Sequence, residues 1–313
     1  MTLEKLLPTR LREMWLSGTQ NGMSREEFNV IQSREVDQFA AIWIRALKLP
    51  GQHDFVVGTL HEIGRWRGIS DLTIVRGRCE NALRSLKLRW ERTVQKVDAP
   101  YVEKYYDAAD EYIEELMWWH TLADDISPLA YVVALEFASS VGCKACLDFG
   151  SGVGSGALLF RRHGFDVTLA DISRIMLSFC KYRFDARGLD ARFIDLKQSK
   201  LPATAFDFIT AMDVFEHLVD PTGTVDLLHH CLKPGGYIYG RFASEVDPAR
   251  PEHIVQDFQP VFDRLAELGF REVLSGRMAL GPPGVPKKRA RLKIKIPNVG
   301  RGRRIYQGRM LSM

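Results

Sequence analysis

The sequence predicts an α/β protein: a mostly parallel sheet with helices on both faces and a helical extension ahead of it. Two observations predict this. From residue 145 onward, short apolar runs alternate with helical stretches, the pattern of repeated strand–helix units. The first such run, Ala145 to Phe149, leads into Gly150, Gly152, Gly154 and Gly156 and then a helix. A strand, a glycine turn and a helix N-terminus let a ligand approach bare backbone, where a side chain would block it or forbid the dihedral angles.

The bulk properties narrow the class. With 313 residues, the chain can hold two domains or one with a large extension. Hydrophobic content of 46% and charged content of 26% suit a soluble globular protein, and a net charge of +4 singles out no partner. No apolar run approaches the roughly 20 residues of a membrane span. The start, Met1 to Lys5, lacks an apolar signal region, so a cytoplasmic location is expected. The five cysteines are scattered and odd in number, which suits a reducing compartment. Cys143 and Cys146 form a lone C-x-x-C with no second pair to complete a metal site.

Residues 1–125 read as the helical extension and 126–313 as the core. Ser24-Arg-Glu-Glu27 is a capping box opening a helix toward Leu47, broken at Pro50-Gly51. Ser70-Asp71 starts a second, with Ile74, Leu83, Leu86 and Leu88 among its apolar positions. Asp98-Ala-Pro100 starts a third, running through Tyr105, Tyr106 and Tyr112 to Trp119. Ser127-Pro128 begins a fourth. Trp118, Trp119 and His120 can line a pocket or pack the two parts together, and packing is the commoner use of such residues.

In the core, the helix opening at Ala157 stops at Gly164. Phe165 to Ala170 is a strand with Asp171 at its tip, and Ser173 starts a helix ended by Gly188. Ala191 to Asp195 is the third strand and Ala205 to Asp213 the fourth. Asp220-Pro221 caps the next helix, which ends near Cys231. Lys233-Pro-Gly-Gly236 suits a type II turn before the fifth strand, Tyr237 to Phe242. His253 to Leu268 reads as a further helix and Arg271 to Met278 as a sixth strand. Pro282 to Pro286 is a loop, and the basic segment 282–304 is either a charged edge strand or tail, or a nucleic-acid or membrane-surface patch.

The loop alone does not name its ligand. Gly152, Gly154 and Ala157 also fit the G-x-G-x-x-A dinucleotide fingerprint. Asp148 tilts the balance, because a carboxylate two residues before the first glycine favours a cationic ligand over a pyrophosphate. Asp171 can accept both hydroxyls of a ribose and supports any nucleoside.

Asp148-Phe-Gly-Ser-Gly-Val-Gly154 resembles motif I of the class I S-adenosylmethionine-dependent methyltransferases. Asp213-Val-Phe-Glu-His-Leu218 is similar to that family's D-V-L-E-H-L segment, and Leu232 to Gly236 to its L-K-P-G-G turn. The resemblance covers about residues 143–278 and implies a Rossmann-like, seven-stranded, mostly parallel sheet with an antiparallel last strand. Either 291–296 or 304–311 can supply that strand. It implies S-adenosylmethionine as cofactor. Asp148, Gly150, Ser151, Gly152 and Gly154 would hold its methionine half, Asp171 and Ile172 the ribose, and Asp195 and Leu196 the adenine. Asp213 would lie beside the methyl group, and Tyr105 and Tyr106 would form a lid.

The implied activity is in-line methyl transfer to an oxygen, nitrogen or carbon atom of a small molecule, in which alignment lowers the barrier. If the acceptor is a hydroxyl, His253 and His217 are the candidate bases, with Glu216 behind them. No cluster with metal-ligand spacing stands out, so no metal is expected. The alternatives are an RNA methyltransferase using the basic segment, an NAD-dependent oxidoreductase, and a non-catalytic binding protein. Oligomeric state is left open.

Overall fold

The computed structural model describes residues 25–123, 125–243, 246–276 and 302–307. Ser24 of the capping box and most of the basic segment 282–304 lie outside the described residues. Among the described residues, no helix is long and apolar enough to cross a membrane.

The N-terminal half is helical. Helix α1 spans Arg25–Leu47 and α2 Phe55–Arg67. Helix α2 is not among the expected elements, because Phe-Val-Val-Gly-Thr at its start has weak helix propensity. Its ends explain it: Asp54 accepts from the Val57 N–H at 2.7 Å, and Gly68, with φ 68°, closes the last turn. Helix α3, Leu72–Thr93, is capped by Asp71 as expected.

The predicted helix from Asp98 to Trp119 is instead two, α4 (Ala99–Ala108) and α5 (Tyr112–Trp119). Arg67 fixes the break, donating to the Asp110 carbonyl at 2.8 Å and carboxylate at 2.5 Å. Helix α6, Ala130–Ser140, follows a short turn at Ser127–Leu129.

The core carries five parallel strands: β1 (Ala145–Phe149), β2 (Asp166–Asp171), β3 (Arg192–Asp195), β4 (Phe206–Met212) and β5 (Leu232–Phe242), ordered β3-β2-β1-β4-β5. Helices α7 (Ser155–Arg162), α8 (Arg174–Asp185), α9 (Pro221–Cys231) and α10 (Gln259–Glu267) connect and cover them. The strand order reverses between β1 and β4, where open α/β sheets bind ligands beyond the strand carboxyl ends.

Two local expectations shift. The Lys233–Gly236 turn lies inside β5 as a bulge, since Phe206 pairs Leu232 but Phe208 already pairs Tyr237. Gly235 supplies the positive φ, 78°, which the type II turn requires. The helix predicted from His253 starts only at Gln259. Residues 253–258 are held away from helix because the Val255 N–H donates to the Glu216 carbonyl at 3.0 Å, and Asp257 caps Gln259 at 2.9 Å.

The N-terminal helices share the core. Trp43 of α1 packs with Leu135, Leu158 and Phe160, and Leu60, Val75 and Ile113 pack with Met176 and Phe179 of α8. A buried charge cluster joins the same parts. Arg187 donates to the Glu62 carboxylate through both terminal nitrogens, one at 2.9 Å, and to the Leu47 carbonyl at 2.6 Å. Arg183 approaches Glu62 at 3.6 Å. Glu62→Ala leaves two buried guanidinium groups without their carboxylate, so urea unfolding should show a loss of about 3–5 kcal/mol. A loss under about 1 kcal/mol would mean that water or relaxation replaces the pair.

Candidate cofactor and substrate cavity

A cavity of about 300 Å³ lies at the carboxyl ends of β1, β2 and β4, beneath α4 and α5. Gly150, Ser151 and Gly152 form part of its wall, with Asp171, Ile172 and Leu196 beside them. Tyr106, Asp213, His217 and His253 also line it. Asp148, Gly154, Asp195 and Tyr105 are not among its lining residues.

The glycine loop owes its course to two positions. Gly150 has φ 65°, and a Cβ there would sit 2.6 Å from Val214. Gly154 has φ 70°, and a Cβ would strike Cys180 and Leu169 at 2.9 Å, so it faces the core. The loop amides are already bonded within the fold. Gly150 and Ser151 N–H donate to the Ala170 carbonyl at 2.8 and 3.2 Å, and Gly152 N–H to Asp171 at 2.9 Å. The loop therefore presents a close backbone surface rather than a row of unpaired donors.

Asp148 points behind that loop, not toward a cationic ligand. It is 1% exposed, and it accepts from the Ala157 N–H at 3.1 Å and Thr210 Oγ1 at 2.7 Å. The first-turn amide of α7 needs an acceptor, and the buried carboxylate supplies one. Burial pushes its pKa up to about 7 despite those two bonds.

Asp171 keeps a place in the cavity wall. Its carboxylate also accepts from the Ser173 N–H at 2.8 Å, and burial raises its pKa to about 6 against these backbone bonds. Asp195 ends the neighbouring strand, paired with Asp171 in register. Its carboxylate turns to Arg174 at 2.8 Å and the Lys197 N–H at 2.9 Å, while Leu196 takes the wall position. Asp213, in a left-handed conformation with φ 53°, is bonded to the buried Arg241, which stacks over Trp119.

The paired tyrosines separate. Successive helical positions are about 100° apart, so both rings cannot face one cavity. Tyr106 reaches the cavity, its hydroxyl 2.9 Å from His217 Nδ1. Tyr105 is fully buried among Trp90 and Tyr112. Trp119 and His120 line the cavity, whereas Trp118 stacks under Arg76.

Further residues without an expected site role line the walls, among them Glu115, Leu116, Tyr131 and Arg250. Their spacing carries no local signal. The same holds for one corner of the floor, where donor atoms of Glu216, His217 and His253 all lie within 4.8 Å of one another. The first two follow β4 and the third follows β5, so only the sheet brings them together. Burial first, then the charges of His253 and Arg250, push the His217 pKa down to about 3.

A family model described as a methyltransferase domain matches residues 105–258. That span runs from α4 through the whole cavity floor. Over these residues the chain is similar to the class I S-adenosylmethionine-dependent methyltransferases. The dinucleotide reading of the loop has no comparable support within this methyltransferase family match. Among relatives, a ubiquinone biosynthesis O-methyltransferase of Vibrio cholerae is 28% identical over 156 residues, 46% of this chain and 60% of that one. One of Photorhabdus laumondii is 25% identical over 163 residues, 49% of this chain and 65% of that one. The chain thus spans about 60% of the length of the first curated relatives it matches. Among solved structures, a Pyrococcus horikoshii protein has TM-score 0.44 and 18% identity, covering 59% of this chain and 93% of that one. A Haemonchus contortus phosphoethanolamine N-methyltransferase in complex with S-adenosylmethionine has TM-score 0.44 and 20% identity, covering 56% and 44%.

Asp148 should act as an acceptor and not as a charge. Asp148→Ala should cost about 1–3 kcal/mol, because a buried amide and hydroxyl lose their partner. Asp148→Asn should stay within about 1 kcal/mol of the parent. Since the folded pKa lies above the unfolded one, Asp148's contribution to stability declines as pH rises toward about 7. That slope should flatten in Asp148→Asn when denaturant midpoints are followed across pH. A collapse of Asp148→Asn like that of Asp148→Ala would show that the charge matters.

Proposed function

We propose that this protein transfers a methyl group from S-adenosylmethionine to a small-molecule acceptor by in-line displacement. The observation that carries the reading is one cavity joining the Gly150–Gly152 backbone and Asp171 to the His217–His253 corner. Methyl transfer needs donor sulfur, methyl carbon and acceptor in line, and a shared cavity allows that alignment.

In this reading the methionine half of the cofactor lies along Gly150–Gly152, and Ile172 and Leu196 flank the nucleoside. The Asp171 carboxylate accepts the ribose hydroxyls, while Asp195 sits beside the adenine edge, held by Arg174. Asp148 and Gly154 shape the loop from behind. Asp213, fixed by Arg241, borders the space for the methyl group. Tyr106 closes over the cofactor, and Tyr105 supports it from the core. His217 and His253 face the acceptor. The relatives named as O-methyltransferases favour an oxygen acceptor.

The reading extends to the frame. Residues 1–125 form the helical part that shapes substrate choice, and 126–313 the cofactor-binding core. The sheet is taken as seven-stranded, with β6 (Arg271–Gly276) and β7 (Gly302–Gln307) beyond β5. Antiparallel pairing of Tyr239 with Ile305, and of Leu274 with Ile305, supports this and favours 304–311 over 291–296 as the last strand.

Calorimetry should show S-adenosylmethionine binding and no NAD binding. Asp171→Ala should weaken the cofactor by about 10–100-fold, the worth of hydrogen bonds to a charged acceptor. The ribose hydroxyls need the ionised carboxylate. Affinity should therefore hold above about pH 6 and fall as pH drops through that value. An affinity that ignores both the substitution and the pH would remove Asp171 from the cofactor site.

A further inference from the structure

We propose that Glu216, His217 and His253 form a divalent transition-metal site that holds the acceptor oxygen as an oxyanion. The three side chains offer two imidazole nitrogens and a carboxylate oxygen, all within 4.8 Å of one another. The two rings stand nearly perpendicular, at 81°, with centroids 4.8 Å apart. This geometry suits two ligands converging on one point.

The second observation is the outer shell. His217 Nδ1 lies 3.2 Å from the Glu252 carbonyl and 2.9 Å from the Tyr106 hydroxyl. With Nδ1 engaged, Nε2 is the nitrogen that ligates, the carbonyl–histidine–metal arrangement that orients metal-bound imidazoles. The backbone is braced at the same place. Val255 N–H donates to the Glu216 carbonyl at 3.0 Å, and His253 N–H to the Arg250 carbonyl at 3.1 Å. Both histidines open into the cavity that also holds Gly150 and Asp171.

Two nitrogens, one carboxylate and open positions favour Zn²⁺, Fe²⁺, Mn²⁺ or Co²⁺ over Mg²⁺ or Ca²⁺. One carboxylate on a divalent ion leaves a net positive charge, which an oxyanion neutralises. The acceptor class is therefore a hydroxyl compound, such as a phenol. On ligation its O–H proton passes to water. The oxygen lone pair then forms the O–CH₃ bond while the C–S bond breaks, and that electron pair leaves the sulfonium as a neutral thioether. The chemical step rests on the proposed methyl donor, whereas metal binding does not.

The test uses the full chain stripped with EDTA and titrated with Co²⁺, followed by visible absorption. One equivalent should bind per chain. Glu216→Gln and His253→Asn should each weaken it at least tenfold, while S-adenosylmethionine binding, measured by calorimetry, persists and reports an intact fold. Absence of stoichiometric Co²⁺ binding, or unchanged affinity in both variants, overturns the site. Pulsed EPR of the Mn²⁺-loaded parent protein serves without any variant: nitrogen couplings from two imidazoles support the proposal, and their absence overturns it. Metal binding without cofactor binding would uphold the metal site and overturn the proposed function.

Discussion

The buried carboxylate of Asp148 is the constraint on which the cavity depends. It ties the end of β1 to the first turn of α7 through Ala157 and to β4 through Thr210. Three glycines with positive φ, at 150, 152 and 154, carry the chain between those anchors. Burying a carboxylate is unfavourable, and its raised pKa records that cost. What the fold gains is a fixed loop lying against the Ala170 carbonyl and the tip of β2, with its backbone face turned to the cavity.

The helices over this floor belong to the same packed body. Trp43 stacks on Tyr131 and donates to the His120 carbonyl at 2.7 Å, and both of those residues reach the cavity wall. His120 in turn sits 2.9 Å from Ser155 Oγ at the start of α7. A change in α1 can thus reach the start of α7, next to the glycine loop, through two contacts. Arg67, Arg183 and Arg187 fix the helical roof to itself and to α8.

Much of this was legible in the sequence where the physics is local. Strand, glycine turn and helix cap are set by neighbours in the chain, and the five parallel strands follow the expected order of apolar runs. Asp171 reached the cavity wall because it ends β2 beside the glycine loop, where the Gly152 N–H holds its carboxylate. Asp148 did not, since its side-chain direction depends on a threonine 62 residues away. Tyr105 and Tyr106 looked alike until the phase of α4 separated them. Glu216, His217 and His253 were singled out together as acceptor-side groups, but their closeness depends on two loops from different strands and has no local signal. Helix α2 went unseen because its caps outweigh a poor propensity.

Hydrogen exchange on the full chain, with and without S-adenosylmethionine, tests the central claim most directly. The account predicts slowed exchange in peptides covering Gly150–Gly152, Ile172–Ser173 and Leu196, three strand tips facing one cavity. Protection confined to the N-terminal helices, or none at those tips, would contradict it.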